Sequence, residues 1–274
     1  MFFETKEKEK LYYEQLATEH EFLEWYKTLD LPTYEKPSLT VDNVILAYDR
    51  EVDEVKLLMI KRKAHPFKDH YALAGGFVDS NESTEKAVLR EVHEELGLTL
   101  NENQIEQLYT FSTPLRDPRA WVVSVAYLTF LPELPKVVAG DDAESFAWFS
   151  INYQKETSSF TLINDSTNEV IELKEGKEVS TSSLFLAFDH AEIIFKALER
   201  IQGSLNWKPK VLEILGGTFT LTEVRKVFSK FLPVTSYKEI DNSNLKKTHS
   251  HLFNELGTTI KSVGRPPKLY NLKK

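Results

Sequence analysis

The chain reads as an α/β protein: a sheet-and-helix domain of the α+β or α/β/α kind, followed by a small basic helical domain. Three observations carry this. Short apolar runs recur between residues 39 and 151, the signature of buried strands. One strong amphipathic helix, Glu82–Leu96, sits among them. Beyond residue 201 the pattern turns helical and the charge changes sign.

The elements follow in order. Residues 5–29 are charged, with Leu11, Leu16, Phe22, Leu23, Trp25 and Tyr26 at roughly helical spacing, and predict an N-terminal helix stopped at Leu31-Pro32. Leu39–Tyr48 and Val55–Ile60 predict two buried strands joined by the acidic turn DREVDE. Tyr71–Val78 predicts a short strand around Gly75-Gly76, and the helix after it ends at Gly97, a natural left-handed stop. Ile105–Phe111, Val122–Phe130 and Ala147–Ile151 predict further strands. The polar stretch 152–181 holds two β-like runs, Ser159–Ile163 and Glu169–Leu173, which read as an inserted hairpin. Leu184–Ile201 predicts a helix that serves either a dimer contact or ordinary packing. The tail predicts three helical segments: Pro209–Leu215, one from Thr220 to Phe231 opened by a Thr220/Glu223 capping box, and one from about Asn242 to Leu256. The reading divides the chain at 1–38, 39–203 and 204–274.

Composition narrows the function. The 274 residues are 41% hydrophobic and 28% charged, too apolar for a disordered chain, and hold no cysteine, which excludes disulfides, thiolate metal sites and cysteine nucleophiles. The longest apolar stretch, Trp121–Leu131, is too short to span a membrane, and MFFETKEKEK has no signal-like apolar core, so no membrane partner and a cytoplasmic location are expected. The net charge of −8 argues at first against nucleic acid. It is unevenly held. Residues 201–274 carry 13 lysines and arginines against 5 acids, a charge of +8, which leaves −16 on residues 1–200. Only the tail is electrostatically suited to DNA.

The chemistry concentrates in GFVDSNESTEKAVLREVHEELGL, residues 76–98. Val88, Leu89, Val92 and Leu96 share an inward face, and Glu91, Glu94 and Glu95 cluster beside it at i, i+3 and i+4. Three crowded carboxylates repel unless a cation sits among them, and carboxylate oxygens suit Mg²⁺ or Mn²⁺. An exposed acidic helix face is the plain alternative for three glutamates alone. Arg90 is oriented to pair with Glu82. Gly75-Gly76 allows close backbone approach to a phosphate or metal.

The full spacing is more specific. Gly76, five residues, Glu82, seven residues, Arg90-Glu91-Val92, one residue, Glu94-Glu95, one residue, Gly97-Leu98 resembles the Nudix box without a departure. The resemblance covers about residues 40–203. It implies an α/β/α sandwich with a mixed sheet and hydrolysis of a nucleoside diphosphate linked to another moiety. On matching positions it implies Mg²⁺ or Mn²⁺ on Glu91, Glu94 and Glu95, joined by the Gly75 carbonyl, with Gly76, Glu82, Arg90 and Gly97 as the structural part of the box. The general base stays open between Glu94, Glu95 and an acid of the loop Gly140–Glu144.

Further stretches, among them HPFKDHYALAGGFV, RDPRAWVVSVAYL, LAFDHAEIIFKALERIQG and VGRPPKLYNL, resemble the Nudix-related regulators of NAD metabolism. Those join a Nudix domain that binds ADP-ribose or related dinucleotides to a C-terminal winged helix-turn-helix domain. Ala74, where that branch tends to have proline, and the 152–181 insertion depart from it. So does the intact box, since many of those regulators have a degraded one; hydrolysis gains weight from this. The resemblance implies an ADP-ribose-like substrate or effector, double-stranded DNA as partner of the tail, and a homodimer.

The remaining site candidates come from residue chemistry. Phe67, Tyr71 and Trp121 are flat rings suited to adenine, with core packing the plainer role. Arg62, Arg116 and Arg119 are candidates for phosphate or carboxylate, against surface pairing. His93 and His190 read as helix residues with local hydrogen bonds rather than ligands. On the third tail helix Leu245, His249, Leu252, Phe253 and Leu256 predict an apolar face, and Lys246, Lys247, Ser250, His251 and Asn254 an outward one that suits phosphates and base edges. Arg265 and Lys268, in GRPPK, suit a wing. A protein-contact module with a solvated basic face is the alternative for the tail.

Overall fold

The computed structural model describes residues 3–137, 143–179, 185–258 and 266–273, without the side chains of residues 143 and 144. Residues 1–36 and 37–274 form two units. In the first, one predicted helix is two: α1 (Lys6–Gln15) and α2 (Glu19–Lys27). The break is local chemistry. Thr18 and Glu21 form a reciprocal capping box that starts a new helix. Tyr13 stacks on Trp25 across the two helices, centroids 4.8 Å apart.

The second unit is built on β1 (Ser38–Asp49), a strand buried along nearly its whole length. Its neighbours are β2 (Glu54–Arg62), β3 (Tyr71–Ala72), β4 (Ala74–Phe77), and, after α3 (Thr84–Leu96), β5 (Ile105–Phe111) and β6 (Val122–Leu131). Then come β7 (Ala143–Gln154), β8 (Ser159–Asn164), β9 (Val170–Lys174), β10 (Lys177–Glu178) and α4 (His190–Ser204). The sheet order is β10-β9-β8-β7-β2-β1-β6-β5, with β3 beside β2 and β4 beside β1. β1 and β6 run parallel and the other pairs antiparallel, so the sheet is mixed. Val41, Ile45 and Ala47 of β1 pack with Val88 and Val92 of α3, whereas Val44, Leu46 and Tyr48 pack in the cluster that holds α4. The strand is thus apolar on both faces.

The hairpin expected in 152–181 forms as β8 and β9, and it continues the main sheet, burying Phe160, Leu162, Ile171 and Leu173 in the core. One expectation changes. The helix expected from Leu184 begins at His190, since Phe185 and Ala187 exchange backbone hydrogen bonds with Tyr71 at 2.9 and 2.8 Å and so extend the sheet. The inward face of α4, with Ile193, Ile194, Ala197, Leu198 and Ile201, is spent on this chain's own core.

The tail contains the 3₁₀ turn Lys210–Leu215, α5 (Leu221–Ser229), α6 (Asn242–His249), β11 (Phe253–Thr258) and β12 (Lys268–Leu272), the last two paired antiparallel. The predicted capping box of α5 forms, with Glu223 N–H on Thr220 Oγ1 at 3.2 Å and Thr220 N–H on the Glu223 carboxylate at 2.7 Å. The third helix is shorter than predicted. It ends at His249, and Phe253 to Thr258 is a strand held by Lys268 to Leu272. Tertiary pairing overrode the helical spacing: Phe253 and Leu256 are not one helical face, and Leu256 is exposed.

No linker separates this tail from the sheet. One continuous apolar cluster runs from Tyr48, Leu128 and Phe130 through Ile201 and Leu205 to Val211, Leu215, Val224, Phe228, Leu245 and Phe253. The β1–β2 turn adds ion pairs to α5 and its end, Arg50–Glu223 at 2.8 Å, Asp53–Lys226, and Glu54–Lys230 at 2.6 Å.

Candidate active site

The site starts where β4 meets β1. Gly75 and Gly76 lie opposite Asp42 and Val41 in the antiparallel register. A Cβ on Gly75 would come within 2.0 Å of the Val41 carbonyl, and one on Gly76 within 2.4 Å of the Glu91 carboxylate. Gly75 therefore demands glycine for backbone approach, whereas a side chain at Gly76 would displace the Glu91 carboxylate.

α3 presents that carboxylate. Ser83 caps its start and Gly97, in the left-handed region, closes it. Its buried residues Ala87, Val88, Val92 and Leu96 fix its rotation, which leaves Glu91 and Glu95 half-buried toward the glycine corner and Glu94 exposed. Arg90 ties the array together. Its guanidinium contacts Glu82 at 2.6 Å, Glu91 at 2.7 Å and Glu94 at 3.1 Å, and donates to the Phe77 carbonyl at 3.0 Å. Glu95 accepts the Gly75 N–H at 2.9 Å. Burial pushes the Glu91 carboxyl above its ordinary range, while hydrogen bonding to Arg90 holds Glu82 below it.

No group of three acidic or histidine side chains converges on one point among the described residues. The donors suit a hard cation all the same. Three carboxylates lie within two turns of one helix, and the place where Gly76 lacks a side chain is filled by the carboxylate of Glu91. Glu94 would have to leave Arg90 to join Glu91 and Glu95.

A cleft opens beside this corner. Thr40, Asp42, Gly75, Gly76 and Glu95 line its floor, and Arg62, Phe77, Arg119 and Phe188 are among its walls. Beneath lies a buried polar cluster. Asp42 accepts from Ser124 Oγ at 2.5 Å, faces His190 Nε2 at 3.3 Å and lies 3.6 Å from Arg116. Arg116 forks onto Asp189 at 2.6 and 2.7 Å, and His190 Nδ1 accepts the Leu73 N–H at 2.9 Å. Burial alone would raise the Asp42 carboxyl; His190, Ser124 and Arg116 outweigh it and hold the group below its usual value.

The candidates divide accordingly. Gly75, Gly76, Glu95, Arg62, Arg116, Arg119 and His190 line the cleft, and Glu91 lies against Gly76. Phe67 stands behind Phe188, centroids 4.7 Å apart. Tyr71 is a core residue, edge-on to Phe149 and bonded to Asn164. Trp121 is about half exposed and does not line the cleft, although it precedes β6 at the end of the β1 register that holds Thr40 and Asp42. Arg116 is spent on carboxylates of its own chain. His93 is exposed on the outer face of α3. The loop Gly140–Glu144 has its backbone at 140–142 and the side chains of 143 and 144 outside the described residues.

Phe77, Phe188, Asp42 and Asp117 were not legible as site residues. One signal is conformational. Phe67, Asp69, Leu115 and Phe188, four of the eight non-glycine residues at positive φ among the described ones, sit in or next to the cleft's loops.

In the tail, Lys246, Lys247 and His251 are exposed, as is Asn254, now on β11. Lys268 is half-buried and pairs with Glu255. Arg265 lies outside the described residues. His249 is buried, its Nε2 2.9 Å from the Leu205 carbonyl at the end of α4.

Comparison with known proteins gives this geometry a family. Residues 36–163 match the NUDIX domain and residues 211–272 the NrtR DNA-binding winged helix domain. A crystallised MutT/nudix family protein from Enterococcus faecalis is 47% identical, over 99% of this chain and all of that one, with a TM-score of 0.88. An ADP-ribose pyrophosphatase of Methanocaldococcus jannaschii is 40% identical over 119 residues, which are 43% of this chain and 65% of that enzyme. The ADPR responsive transcriptional repressor NtrR of Acinetobacter baylyi is 25% identical over 218 residues, 79% of this chain and 74% of that one. The chain belongs to the Nudix family. Within it, this protein carries a C-terminal winged helix domain of the NrtR type. Among the described residues no helix is long and apolar enough to cross a membrane.

Proposed function

We propose that the chain is a metal-dependent Nudix hydrolase that cleaves the pyrophosphate of a nucleoside diphosphate derivative, ADP-ribose or a related NAD-derived nucleotide. The observation that carries this is the unbroken box, whose glutamates meet the glycine corner of a cleft walled by two arginines. The similarity to an ADP-ribose pyrophosphatase supports the substrate class.

Nudix hydrolases in general use divalent metal ions. Glu91, Glu94 and Glu95 would hold Mg²⁺ or Mn²⁺, which when bound neutralises a diphosphate and acidifies a water. The chain's own groups do the rest. Arg62 and Arg119 supply positive charge on the wall opposite the glutamates. Arg90 fixes the loop before α3 through Glu82 and the Phe77 carbonyl and holds Glu91 beside it. The Gly75–Glu95 bond fixes the floor. Purified protein with ADP-ribose and Mg²⁺ or Mn²⁺ should release AMP. Wild type making no more AMP than Glu94→Gln, Glu95→Gln protein would defeat the enzyme reading for this substrate.

The second reading is an ADP-ribose-sensing, DNA-binding regulator of NAD metabolism with little or no hydrolysis. The specific support is the winged helix of positive charge, joined to the Nudix sheet through one core, together with the likeness to a repressor that responds to ADPR. The two readings are compatible, since one nucleotide can be substrate and effector. Lys246, Lys247 and His251 on the exposed side of the tail, with Arg265 and Lys268 toward the wing, are the proposed DNA contacts, and a homodimer would match paired half-sites. Binding to duplex fragments upstream of NAD genes should weaken steeply with salt. A flat salt response would sink this reading.

A further inference from the structure

The glycine corner has a structural weakness. β4 is four residues long, and two of them are glycines. It meets β1 over four antiparallel pairs, Asn43–Ala74, Asp42–Gly75, Val41–Gly76 and Thr40–Phe77. Side-chain pairs across strands normally hold such a register, and Gly75 and Gly76 supply none. Register is weakly specified in glycine-rich strands. It matters here. Val78 N–H donates to the Leu39 carbonyl at 2.9 Å, so the residues of β4 alternate and Gly75 is one whose N–H and carbonyl both point away from β1. That N–H reaches Glu95 at 2.9 Å. A slip of one residue would turn both groups toward β1.

His190 supplies what the glycines lack. It opens α4 and is buried, 4% exposed. Leu73, between β3 and β4, donates its N–H to His190 Nδ1 at 2.9 Å. A backbone N–H can only donate, so Nδ1 accepts and Nε2 is the N–H that faces Asp42 Oδ1 at 3.3 Å. One ring thus ties the lead-in of β4 to the β1 residue opposite Gly75, through partners far from it in the chain rather than the local ones its helix suggests. The ring is itself held. Arg116 forks onto Asp189, the N-cap of α4, whose carboxylate makes no cap bond and locates the helix head instead. Ala187 N–H donates to the Tyr71 carbonyl at 2.8 Å, and Ser124 Oγ fixes Asp42 from the other side.

We infer that His190 is a positioning residue for the metal site: it clamps β4 in register on β1 and so keeps the Gly75 carbonyl, and the Gly75–Glu95 bond, facing the glutamates of α3. The inference rests on the reading of this corner as a metal site. The other buried histidine, His249, offers the contrast. Its partners are Thr248 and the carbonyls of Leu245 and Leu205, all in α4, α6 and the turn between the sheet and the tail.

Two readouts on the full-length chain test it without nucleotide. Hydrogen–deuterium exchange over residues 73–77 reads the clamp, and Mn²⁺ titration followed by electron paramagnetic resonance reads its consequence. In His190→Phe, exchange over 73–77 should quicken by about tenfold with β6 and β7 unchanged. The Mn²⁺ dissociation constant should rise by about tenfold, the scale of losing a group that supports a metal ligand. His190→Asn, whose Oδ1 falls where Nδ1 sits, should bring both to within about threefold of wild type. His249→Phe should move neither. Should His190→Phe not fold, His190→Gln, which reaches toward Asp42 but offers Leu73 nothing at Nδ1, takes its place. Unchanged exchange in these variants overturns the clamp, and so does an equal loosening of 73–77 in His249→Phe. Loosened exchange with unchanged Mn²⁺ affinity overturns the positioning role, as does an asparagine variant no better than the phenylalanine one. Wild type that binds no Mn²⁺ overturns the metal-site reading and the positioning role with it, while the clamp still stands or falls on the exchange.

Discussion

Two helices carry the charges on which the proposed functions rest, and they hold them in opposite ways. On α3 the acids are engaged internally: Arg90 spans Glu82, Glu91 and Glu94, and Glu95 takes a backbone N–H. On α6, Lys246 and Lys247 are exposed and make no ion pair among the described residues. The first arrangement is set before any ligand arrives. The second is positioned by apolar anchors, Leu245 and His249, and leaves its charge for an outside partner. Preorganised sites depend on each member, whereas solvated charges add up.

The experiments that break this contrast follow from it. Glu94→Gln, Glu95→Gln should cut AMP formation by about 100-fold or more, since even residues that only support metal ligands are worth 10–100-fold. Arg90→Met should cost hydrolysis about tenfold, although Arg90 touches no substrate, because Glu82 and the Phe77 carbonyl lose their shared partner. If Arg90→Met is silent, α3 is not preorganised by its own ion pairs. Lys246→Ala and Lys247→Ala should each lower the slope of log K against log salt by about 0.9, additively, with hydrolysis unchanged. Non-additive losses would mean that α6, too, works as a unit.

Beneath the cleft, Asp42→Asn should destabilise the fold by about 3 kcal/mol near neutral pH, because Arg116 loses a buried counter-charge and Ser124 and His190 lose a charged hydrogen-bond acceptor. The folded chain holds Asp42 ionised to lower pH than the unfolded chain does, where its pKa is about 3.8. Its contribution is therefore whole above that value and lost as pH falls through the lower folded pKa. Thermal melts should show the gap between wild type and Asp42→Asn closing below about pH 4. The smallest effect is expected at Arg50→Ala, about 1 kcal/mol or less in denaturant melts, since the Arg50–Glu223 pair is half open to water.

How much of this was visible in the sequence depends on the range of the cause. Caps and stops are local, so Gly97 and the Thr220/Glu223 box were read correctly, and so was the box helix. β1 and β2 were legible as continuous apolar runs because both faces are buried. The end of α6 was misread because Phe253–Thr258 is decided by a partner strand ten or more residues on. Phe188 carries no local signal for the same reason. Which aromatic faces the cleft is set by where β4, the 115–119 loop and the head of α4 meet, a meeting that no short window contains.

α4 is a beam shared by the cleft and the tail. Its fifteen residues span about 22 Å. At one end His190 meets the cleft floor; at the other, Gln202 donates to the Phe231 carbonyl and the Leu205 carbonyl meets His249. Its flank closes the core on both sides of position 203. Cutting the chain there would leave Tyr48, Leu128 and Phe130 facing water on one piece and Val211, Leu215 and Phe228 on the other. Residues 37–274 form one body built around α4, and the hydrolysis and DNA binding proposed for its two surfaces should be measured and engineered together.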